Sequence, residues 1–226
     1  MYILDAIILA AGLGKRTKLH EPKQLFRLGG IPIFIRIINI FQSIDEIDKI
    51  ILAVIQGQEE YFSDILKDYN IKNIEVISGG NTRQESVYRG LKHVTTEKVI
   101  IHEAARPFIN KEFLERLIHN ENDNVVPILN IPFTVCNLKE KYYPNRQDVV
   151  NIQLPQKFNT KLLKEAHFKY EGYDFTDDSS LFALVNGIDN ITYIEGLEEN
   201  IKITLNIDTK IAEVIYSEYC TGNWGF

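Results

Sequence analysis

The chain has 226 residues, of which 45% are hydrophobic, and it carries a formal net charge of −6 at pH 7. This length and composition are enough for one large domain with a sizeable core. The acidic balance argues against a nucleic-acid-binding protein, because such proteins usually carry a basic face that neutralises phosphates.

The cysteines and the N-terminus bear on location. Cys136 and Cys220 are far apart and fit no metal-binding spacing, so neither a disulfide framework nor a zinc site is predicted. A reducing cytoplasm is the expected location. The apolar N-terminal stretch lacks a basic flank and is interrupted by Asp5, and the chain has no apolar run of the roughly 18 residues that a membrane span needs. We expect neither secretion nor membrane association.

Short β-branched runs alternate with longer amphipathic segments in the first half of the chain. The pattern predicts strands at 3–9, 49–55, 73–77 and 97–102, and helices at 32–42, 58–69 and 83–94. Strand, helix and strand in repetition imply right-handed crossovers and a mainly parallel sheet. The expected fold class is therefore α/β, with helices on both faces of the sheet.

The alternation breaks after "NVVPILNIP", in a weakly alternating stretch that carries Pro144 and Pro155. A β-arm projecting from the core, at about 133–158, is the simplest interpretation. Beyond it, helices are predicted at 160–169, 178–186 and about 207–218, and strands at "NITYIEG" and "NIKIT". Since the sequence contains no internal repeat or linker, residues 1–226 are expected to form a single domain with an arm.

The stretch "LAAGLGKRTKLHEPKQ" follows the first predicted strand and combines Gly12 and Gly14 with the cations Arg16 and Lys23. A glycine-rich turn after a strand lets backbone N–H groups surround an anion. The P-loop pattern fails because its first glycine is missing and Arg16 replaces the Ser or Thr, and the dinucleotide fingerprint lacks its third glycine and downstream acid. A solvated basic turn is the alternative. The position directly after the first strand, where α/β proteins bind ligands, favours a phosphate site.

A second glycine turn, "SGGNTRQESVYRGL", joins a predicted strand to a predicted helix. Main-chain groups at Gly80, the amide of Asn81 and the hydroxyl of Ser86 can together hydrogen-bond the edge of a pyrimidine base. The alternative is an ordinary strand-to-helix turn in which Asn81 or Thr82 caps the helix.

The segment "VIIHEAARPF" ends an apolar strand with His102, Glu103 and Arg106. Glu103 can bind magnesium or an acceptor hydroxyl, and Arg106 can bind an anion, although the two residues can also form a plain ion pair. His102 is expected to be a packed, hydrogen-bonded residue. Lys202, in the β-branched run "ENIKIT", and Arg146, in the arm, are undecided between a buried anion site and solvent.

The order and spacing of these motifs is specific as a set: AAGxGxR, PKQ, GGxxRxxSVxxGL, H-acid-AARPF, R…PQxF, TDDxS and NIKIT. In that order, residues 3 to about 216 resemble the family of 2-C-methyl-D-erythritol 4-phosphate cytidylyltransferases and the related ribitol 5-phosphate cytidylyltransferases. The resemblance implies a Rossmann-like α/β fold and a homodimer that exchanges its arms. It also implies transfer of CMP from Mg²⁺-bound CTP to a polyol phosphate, with release of pyrophosphate.

The resemblance also assigns roles to individual residues. It implies that the nucleotide is bound by Ala10, Ala11, Gly12, Gly14, Gly80, Asn81 and Ser86. It implies that the catalytic cations are Arg16 and Lys23, on the triphosphate, and Lys202, on the α-phosphate. It implies that the acceptor is bound by Glu103, Arg106 and Arg146, with Arg146 supplied by the partner subunit and Glu103 also a magnesium ligand.

The chain departs from the family pattern on the acceptor side. Glu103 stands where Asp is usual, Val135 and Cys136 stand where an Asp-Thr pair is usual, and Leu154 replaces a threonine. Methylerythritol phosphate is the expected acceptor. Ribitol 5-phosphate or another alditol phosphate, used for a capsule or wall polymer, is the alternative, and a non-catalytic nucleotide-binding protein is a third hypothesis.

Overall fold

Strands and helices alternate through most of the chain, as predicted. The computed structural model describes residues 3–12 and 22–220, with the backbone alone for 219 and 220. The strands are β1 (Leu4–Ala10), β2 (Arg27–Leu28), β3 (Ile31–Pro32), β4 (Ile47–Val54), β5 (Ile74–Ser78), β6 (Lys98–Glu103), β7 (Val125–Asn130), β8 (Val150–Ile152), β9 (Gln156–Asn159) and β10 (Thr192–Glu195). The α-helices are α1 (Ile33–Gln42), α2 (Glu59–Asp68), α3 (Arg83–Leu91), α4 (Lys111–Ile118), α5 (Thr160–Lys169), α6 (Asp178–Asn186) and α7 (Asn206–Cys220).

One large sheet runs through the molecule in the order β10-β7-β9-β6-β1-β4-β5, with β8 added beside β7. The neighbours β6, β1, β4 and β5 are parallel to one another, and β10 is parallel to β7. Among the described strands of this sheet, β8 and β9 run opposite to the others, antiparallel to β6 and β7. The predicted mainly parallel α/β fold is therefore confirmed.

The central strand β1 shows why the sheet is covered by helices on both faces. All seven of its residues are buried, and the six apolar ones are divided between two hydrophobic clusters, with alternate residues from Ala6 to Ala10 on opposite faces. Ile8 packs with the apolar faces of α1, α2 and α4, whereas Ile7 packs with those of α3, α5 and α6. A strand buried on both faces reads as a continuous apolar run, as "LDAIILA" nearly does. Each such aliphatic side chain contributes about 1.5–3 kcal/mol of burial free energy.

The β-arm is shorter than the sequence suggested. Residues 131–149 are mostly exposed and hold one isolated bridge, between Asn137 and Tyr142. The C-terminal part of the predicted arm lies in the main sheet, where β8 pairs with β7 and β9 pairs with β6. The reason is burial: Phe158, at the predicted end of the arm, is fully enclosed in the core.

The predicted strand at "NIKIT" is wrong, because residues 200–204 form no strand. Ile203 is fully buried and packs with Leu28 and Phe108, and its backbone N–H donates to the carbonyl of Ala105 at 2.9 Å. Apolar alternation at this place reflects packing against a loop and α7, and it does not reflect a strand ladder. Within the described residues, the helices lack the combination of length and apolar character that crossing a bilayer requires.

Candidate active site at the carboxyl edge of the sheet

A pocket of about 520 Å³ lies where four parallel strands end. Strands β1, β4, β5 and β6 are parallel, so their carboxyl ends meet at one edge, which is the usual ligand edge of an α/β sheet. The turns after these strands line the pocket with Ala10, Ala11, Gly12, Ile55, Gln56, Gly80, Asn81, Thr82, Glu103 and Ala105. Lys23, Gln24, Arg83, Ser86, Lys202 and Thr204 complete the wall with Leu9.

The turn after β1 is held in place by a short 3₁₀ helix at Lys23–Leu25. The side-chain amide of Gln24 donates to the carbonyl of Ala10 at 2.5 Å, and Nζ of Lys23 donates to the carbonyl of Ile203 at 3.1 Å. A Cβ atom at Gly12 would lie 3.7 Å from Cε of Lys23, so this side chain runs alongside the turn. Lys23 is thereby positioned at the pocket wall. Gly14 and Arg16 lie outside the described residues.

The turn after β5 packs directly against the turn after β1. Gly79 has no space for a side chain, because a Cβ atom there would collide with the side chain of Ala11. The backbone N–H of Gly80 donates to the Ser86 hydroxyl at 2.9 Å, and this hydroxyl donates to the carbonyl of Thr82 at 2.9 Å. The Ser86 hydroxyl therefore fixes the shape of the glycine turn by bonding to the backbone at Gly80 and Thr82.

The structure settles which residue caps α3. The hydroxyl oxygen of Thr82 accepts from the backbone N–H of Glu85 at 3.0 Å, so Thr82, and not Asn81, is the N-cap. The backbone N–H of Asn81 donates to the Glu85 carboxylate at 2.7 Å. These bonds hold Gly80 and Asn81 at the pocket wall.

A chain of charged and polar side chains leads from the pocket into the interior. Nζ of Lys202 lies 2.6 Å from one carboxylate oxygen of Glu103, and Nε of Arg83 lies 2.9 Å from the other. Nη2 of Arg83 also contacts Asp178 at 2.6 Å, and the second oxygen of Asp178 lies 3.0 Å from Nε2 of His167. Glu103 therefore bridges Lys202 and Arg83, and Arg83 in turn contacts the buried Asp178.

The two carboxylates of this chain are held ionised. Burial by itself raises the pKa of Glu103, but the charges of Arg83 and Lys202 outweigh it and lower the pKa to about 2. Burial likewise raises the pKa of Asp178, and Arg83 and His167 lower it well below the usual range. The pKa of Arg83 is raised, because its attraction to Asp178 and Glu103 outweighs the cost of burial. Glu103, Asp178 and Arg83 are therefore all charged at neutral pH.

Glu103 does not fit as a direct magnesium ligand in this arrangement. It is the only acidic residue among the described residues that line the pocket, and both of its oxygens face cations. A magnesium ion there would have to displace Lys202. No group of three or more His, Cys, Asp or Glu side chains that could hold a metal occurs in the part of the chain that the structure describes.

Three other candidate residues have definite positions. His102 is fully buried with Nε2 3.1 Å from the carbonyl of Arg106, and burial lowers its pKa to about 4, so the prediction of a packed histidine is confirmed. The guanidinium of Arg106 donates to the carbonyl of Asn200 at 2.9 Å. Arg146 is exposed in a short 3₁₀ turn of the arm. Neither arginine belongs to the described lining of the pocket.

Of the positions that depart from the family pattern, Glu103 lines this pocket, whereas Val135, Cys136 and Leu154 do not belong to its described lining. Cys136 is exposed on the arm, next to the partly buried Val135. Leu154 is buried in the same core cluster as Phe158, and its carbonyl accepts from the side-chain amide of Asn200 at 2.6 Å. An apolar side chain at position 154 therefore contributes to the core.

Sequence reasoning missed Arg83, Asp178 and Gln24 as site residues. Arg83 and Asp178 stand inside the motifs GGxxRxxSV and TDDxS, so the family pattern contained the signal. An arginine in the first turn of a helix and an aspartate at the start of another look like ordinary surface residues until the fold brings them together.

Comparison with known proteins is consistent with this geometry. The family profile of IspD, 2-C-methyl-D-erythritol 4-phosphate cytidylyltransferase, matches residues 4–218. The chain is 34% identical over 220 residues to a protein of Bacillus velezensis with the same descriptive name, covering 92% of this chain and 94% of that protein. It is 36% identical over 222 residues to one of Clostridium botulinum, with 93% and 96% covered.

The backbone of this chain is similar to that of a solved structure. The crystal structure of 4-diphosphocytidyl-2C-methyl-D-erythritol synthase from Anaerococcus prevotii superposes with a TM-score of 0.83, at 31% identity over 96% of both chains. Since the family profile spans nearly the whole chain and both relatives exceed 30% identity, this chain belongs to the IspD family of cytidylyltransferases.

Proposed function

We propose that this chain transfers the cytidylyl group of CTP to 2-C-methyl-D-erythritol 4-phosphate and releases pyrophosphate. The family match over residues 4–218 carries this proposal. The pocket supports it, because two glycine turns and three side-chain cations, Lys23, Arg83 and Lys202, line one cavity at the ligand edge of the sheet. The relatives reported above carry the methylerythritol name, which favours this acceptor over ribitol 5-phosphate or another alditol phosphate.

The donor side divides into a base subsite and a phosphate subsite. The turns at Ala10–Gly12 and Gly80–Asn81 bring main-chain groups together where a flat base edge can approach, and Ser86 keeps the second turn in shape. Lys23 stands beside the first turn, where the triphosphate would pass. We assign Arg16 and Gly14 to the same phosphate subsite from the sequence alone.

The reaction is an in-line displacement at the α-phosphorus. An oxygen of the acceptor phosphate forms a bond to the α-phosphorus, and the bond between that phosphorus and the bridging oxygen to the β-phosphate breaks, so pyrophosphate leaves with the electron pair. Two anions must meet, so catalysis consists mainly of positioning and charge neutralisation. Lys202 is the cation that we assign to the α-phosphate, and Glu103 and Arg83 hold it at the pocket wall.

Magnesium is the cofactor that we propose, carried on the triphosphate. Magnesium usually keeps several waters and binds through substrate phosphates with one or two carboxylates, so a pocket with one engaged carboxylate is compatible with it. When bound, the ion neutralises phosphate charge. The residues of this chain supply the fixed cations on either side, Lys23 and Lys202.

The acceptor side would be completed by a second copy of the chain. Arg106 and Arg146 do not line the pocket of one described chain, and the arm that carries Arg146 exposes Phe133, Leu138 and Tyr143. Exposed apolar residues on a projecting arm suit exchange across a homodimer. We expect a dimer by light scattering, and the change Tyr143→Ser with Phe133→Ser to weaken it. A monomeric parent protein with full activity would refute this arrangement.

The decisive experiment is an acceptor panel with CTP and magnesium. Methylerythritol, ribitol, arabinitol, xylitol and glycerol phosphates are compared by the amount of CDP product formed. We expect the methylerythritol product to dominate, with pyrophosphate released only when acceptor is present. An exclusive preference for an alditol phosphate would overturn the assigned acceptor, and no pyrophosphate release with any acceptor would favour a non-catalytic nucleotide-binding protein.

A further inference from the structure

A second cavity, of about 310 Å³, lies between α3, the end of α5 and the turn that follows α5. This size lies within the usual range of small-ligand pockets. It is lined by Thr82, Gln84, Glu85, Tyr88, His167, Glu171, Gly172 and Tyr173, and only Thr82 also lines the first pocket. We propose that this cavity binds a small amine that carries a flat apolar body, and that it is a site separate from the nucleotide pocket.

The two pockets have opposite charge. The first is lined by Lys23, Arg83 and Lys202, whereas the described lining of the second has two carboxylates and no Lys or Arg. Glu85 is paired with Arg89, but Glu171 forms no ion pair with any described residue. An ammonium group is therefore attracted to the second cavity, and a nucleotide or polyol phosphate is repelled from it.

The walls of the cavity suit a flat body with a positive charge. The rings of Tyr88 and His167 are parallel to within 1°, with centroids 6.3 Å apart, and Tyr173 adds a third ring that is 61% exposed. The ammonium of Lys92 lies 4.5 Å from the Tyr88 ring centroid, so a protein cation already contacts this ring, and the exposed ring of Tyr173 is the one left for the charge of a bound amine.

His167 supplies a polar contact that the protein leaves unused. The residue is 1% exposed, and its Nε2 lies 3.0 Å from the ionised carboxylate of Asp178. When the ring carries a single proton, on the Nε2 that donates to this carboxylate, Nδ1 is an acceptor, and among the described residues it has no hydrogen-bond partner. A buried acceptor without a donor is unfavourable, and an N–H group of a bound amine would satisfy it.

The test uses the full chain and benzylamine as the probe. Benzyl alcohol and benzoate are control ligands of similar shape, the first neutral and the second anionic. Binding is measured by calorimetry and by the imidazole nitrogen shifts of His167. We expect millimolar binding of benzylamine, weaker binding of benzyl alcohol and none of benzoate. Glu171→Gln and Tyr173→Ala should each weaken the binding of benzylamine about fivefold. Glu165→Gln, an exposed acid on α5 outside the cavity, should leave binding unchanged.

Three results would overturn the site. These are displacement of benzylamine by CTP, equal binding of the amine and the carboxylate, and equal effects of Glu171→Gln and Glu165→Gln. Because the readout is direct binding, a failure here is distinct from a failure of the proposed transferase activity. Saturation with CTP during the titration separates the two pockets within one experiment.

Discussion

Nζ of Lys202 lies 2.6 Å from Oε2 of Glu103, so a cation and an anion of the pocket wall neutralise each other. Lys202 is about a third exposed, whereas the Glu103 side chain is 8% exposed and also bound by Arg83. Glu103 is thus the fixed partner, and it keeps Lys202 at the pocket wall. The proposed role of Lys202 on the α-phosphate therefore depends on a neighbouring carboxylate that need not touch the nucleotide.

Glu103→Gln removes the charge from this arrangement and leaves two neighbouring cations. Loss of one partner of a buried ion pair costs about 3–5 kcal/mol, and we expect the lower value, about 3 kcal/mol in the free energy of unfolding, because Arg83 keeps Asp178. We also expect kcat/KM for CTP to fall by at least tenfold. Urea unfolding and steady-state kinetics measure both. Glu103→Asp, the usual family residue, should recover most of each loss, and equal values for the Asp and Gln variants would contradict the role of the charge.

The same carboxylate predicts a pH dependence. Its pKa is about 2 in the folded protein and near 4.5 when unperturbed. The unfolded chain therefore binds a proton first as the pH falls, and the stability that Glu103 contributes is complete above about pH 4.5 and is lost towards pH 2. The contribution is about 3 kcal/mol, since one pKa unit corresponds to about 1.4 kcal/mol.

The measurement compares the parent chain with Glu103→Gln between pH 7 and pH 3. We expect the difference in unfolding free energy to be largest at pH 7 and to shrink as the pH falls. Asp178 remains in both proteins, so its own titration cancels in the difference. A difference that is constant across this range would show that Glu103 is not held ionised by its neighbours.

The sequence predicted the sheet and its ligand edge well, because β1, β4 and β6 are nearly continuous apolar runs followed by glycine or charge. It predicted the strand at "NIKIT" wrongly for a physical reason. Ile203 is buried by a loop and by α7, and local alternation cannot distinguish such packing from a strand ladder.

The site was predictable where a motif lies next to a strand end, and also at Lys202, which lines the pocket although the strand predicted around it does not form. Ala10, Gly12, Gly80 and Lys23 line the pocket as the motifs suggested. The link from Arg83 to Asp178 joins two helices far apart in the chain, so no local pattern reports it. Arg146 is a different case, because its proposed role depends on contacts with a second subunit.

Lys23→Ala should stop turnover while the fold stays intact. Lys23 stands beside the glycine turn, and removal of one charge contact in a water-poor site costs about 3–4 kcal/mol, or two to three orders of magnitude in rate. We expect this fall in kcat/KM for CTP with an unchanged far-ultraviolet spectrum. Lys210→Ala, an exposed lysine on α7, is the control and should have no effect. Arg16→Ala is expected to behave as Lys23→Ala does, and near-normal turnover of either variant would refute the phosphate subsite.

Arg83→Lys tests whether the guanidinium fork is needed. One planar group reaches Glu103 through Nε and Asp178 through Nη2, and a single ammonium cannot reproduce both contacts. We expect unfolding free energy to fall by about 2 kcal/mol and kcat to fall at least tenfold at a temperature where the variant is folded. Arg116→Lys, on the exposed face of α4, controls for the change of residue type. Its guanidinium donates to the carbonyl of Glu195 at 2.7 Å at the surface, so the change should leave kcat unaltered and lower the unfolding free energy by less than about 1 kcal/mol.

Asp178→Asn separates the two contacts of Arg83. This change breaks the ion pair between Arg83 and Asp178 and keeps the pair between Arg83 and Glu103. If the network of ion pairs only stabilises the fold, the variant should lose stability and keep a normal kcat. If Arg83 positions Glu103 for catalysis, Arg83→Lys should lower kcat more than Asp178→Asn does at equal loss of stability, because only the former disturbs the contact to Glu103 directly. A kcat equal to that of the parent protein in both variants would show that the network stabilises the fold and does not position the pocket cations.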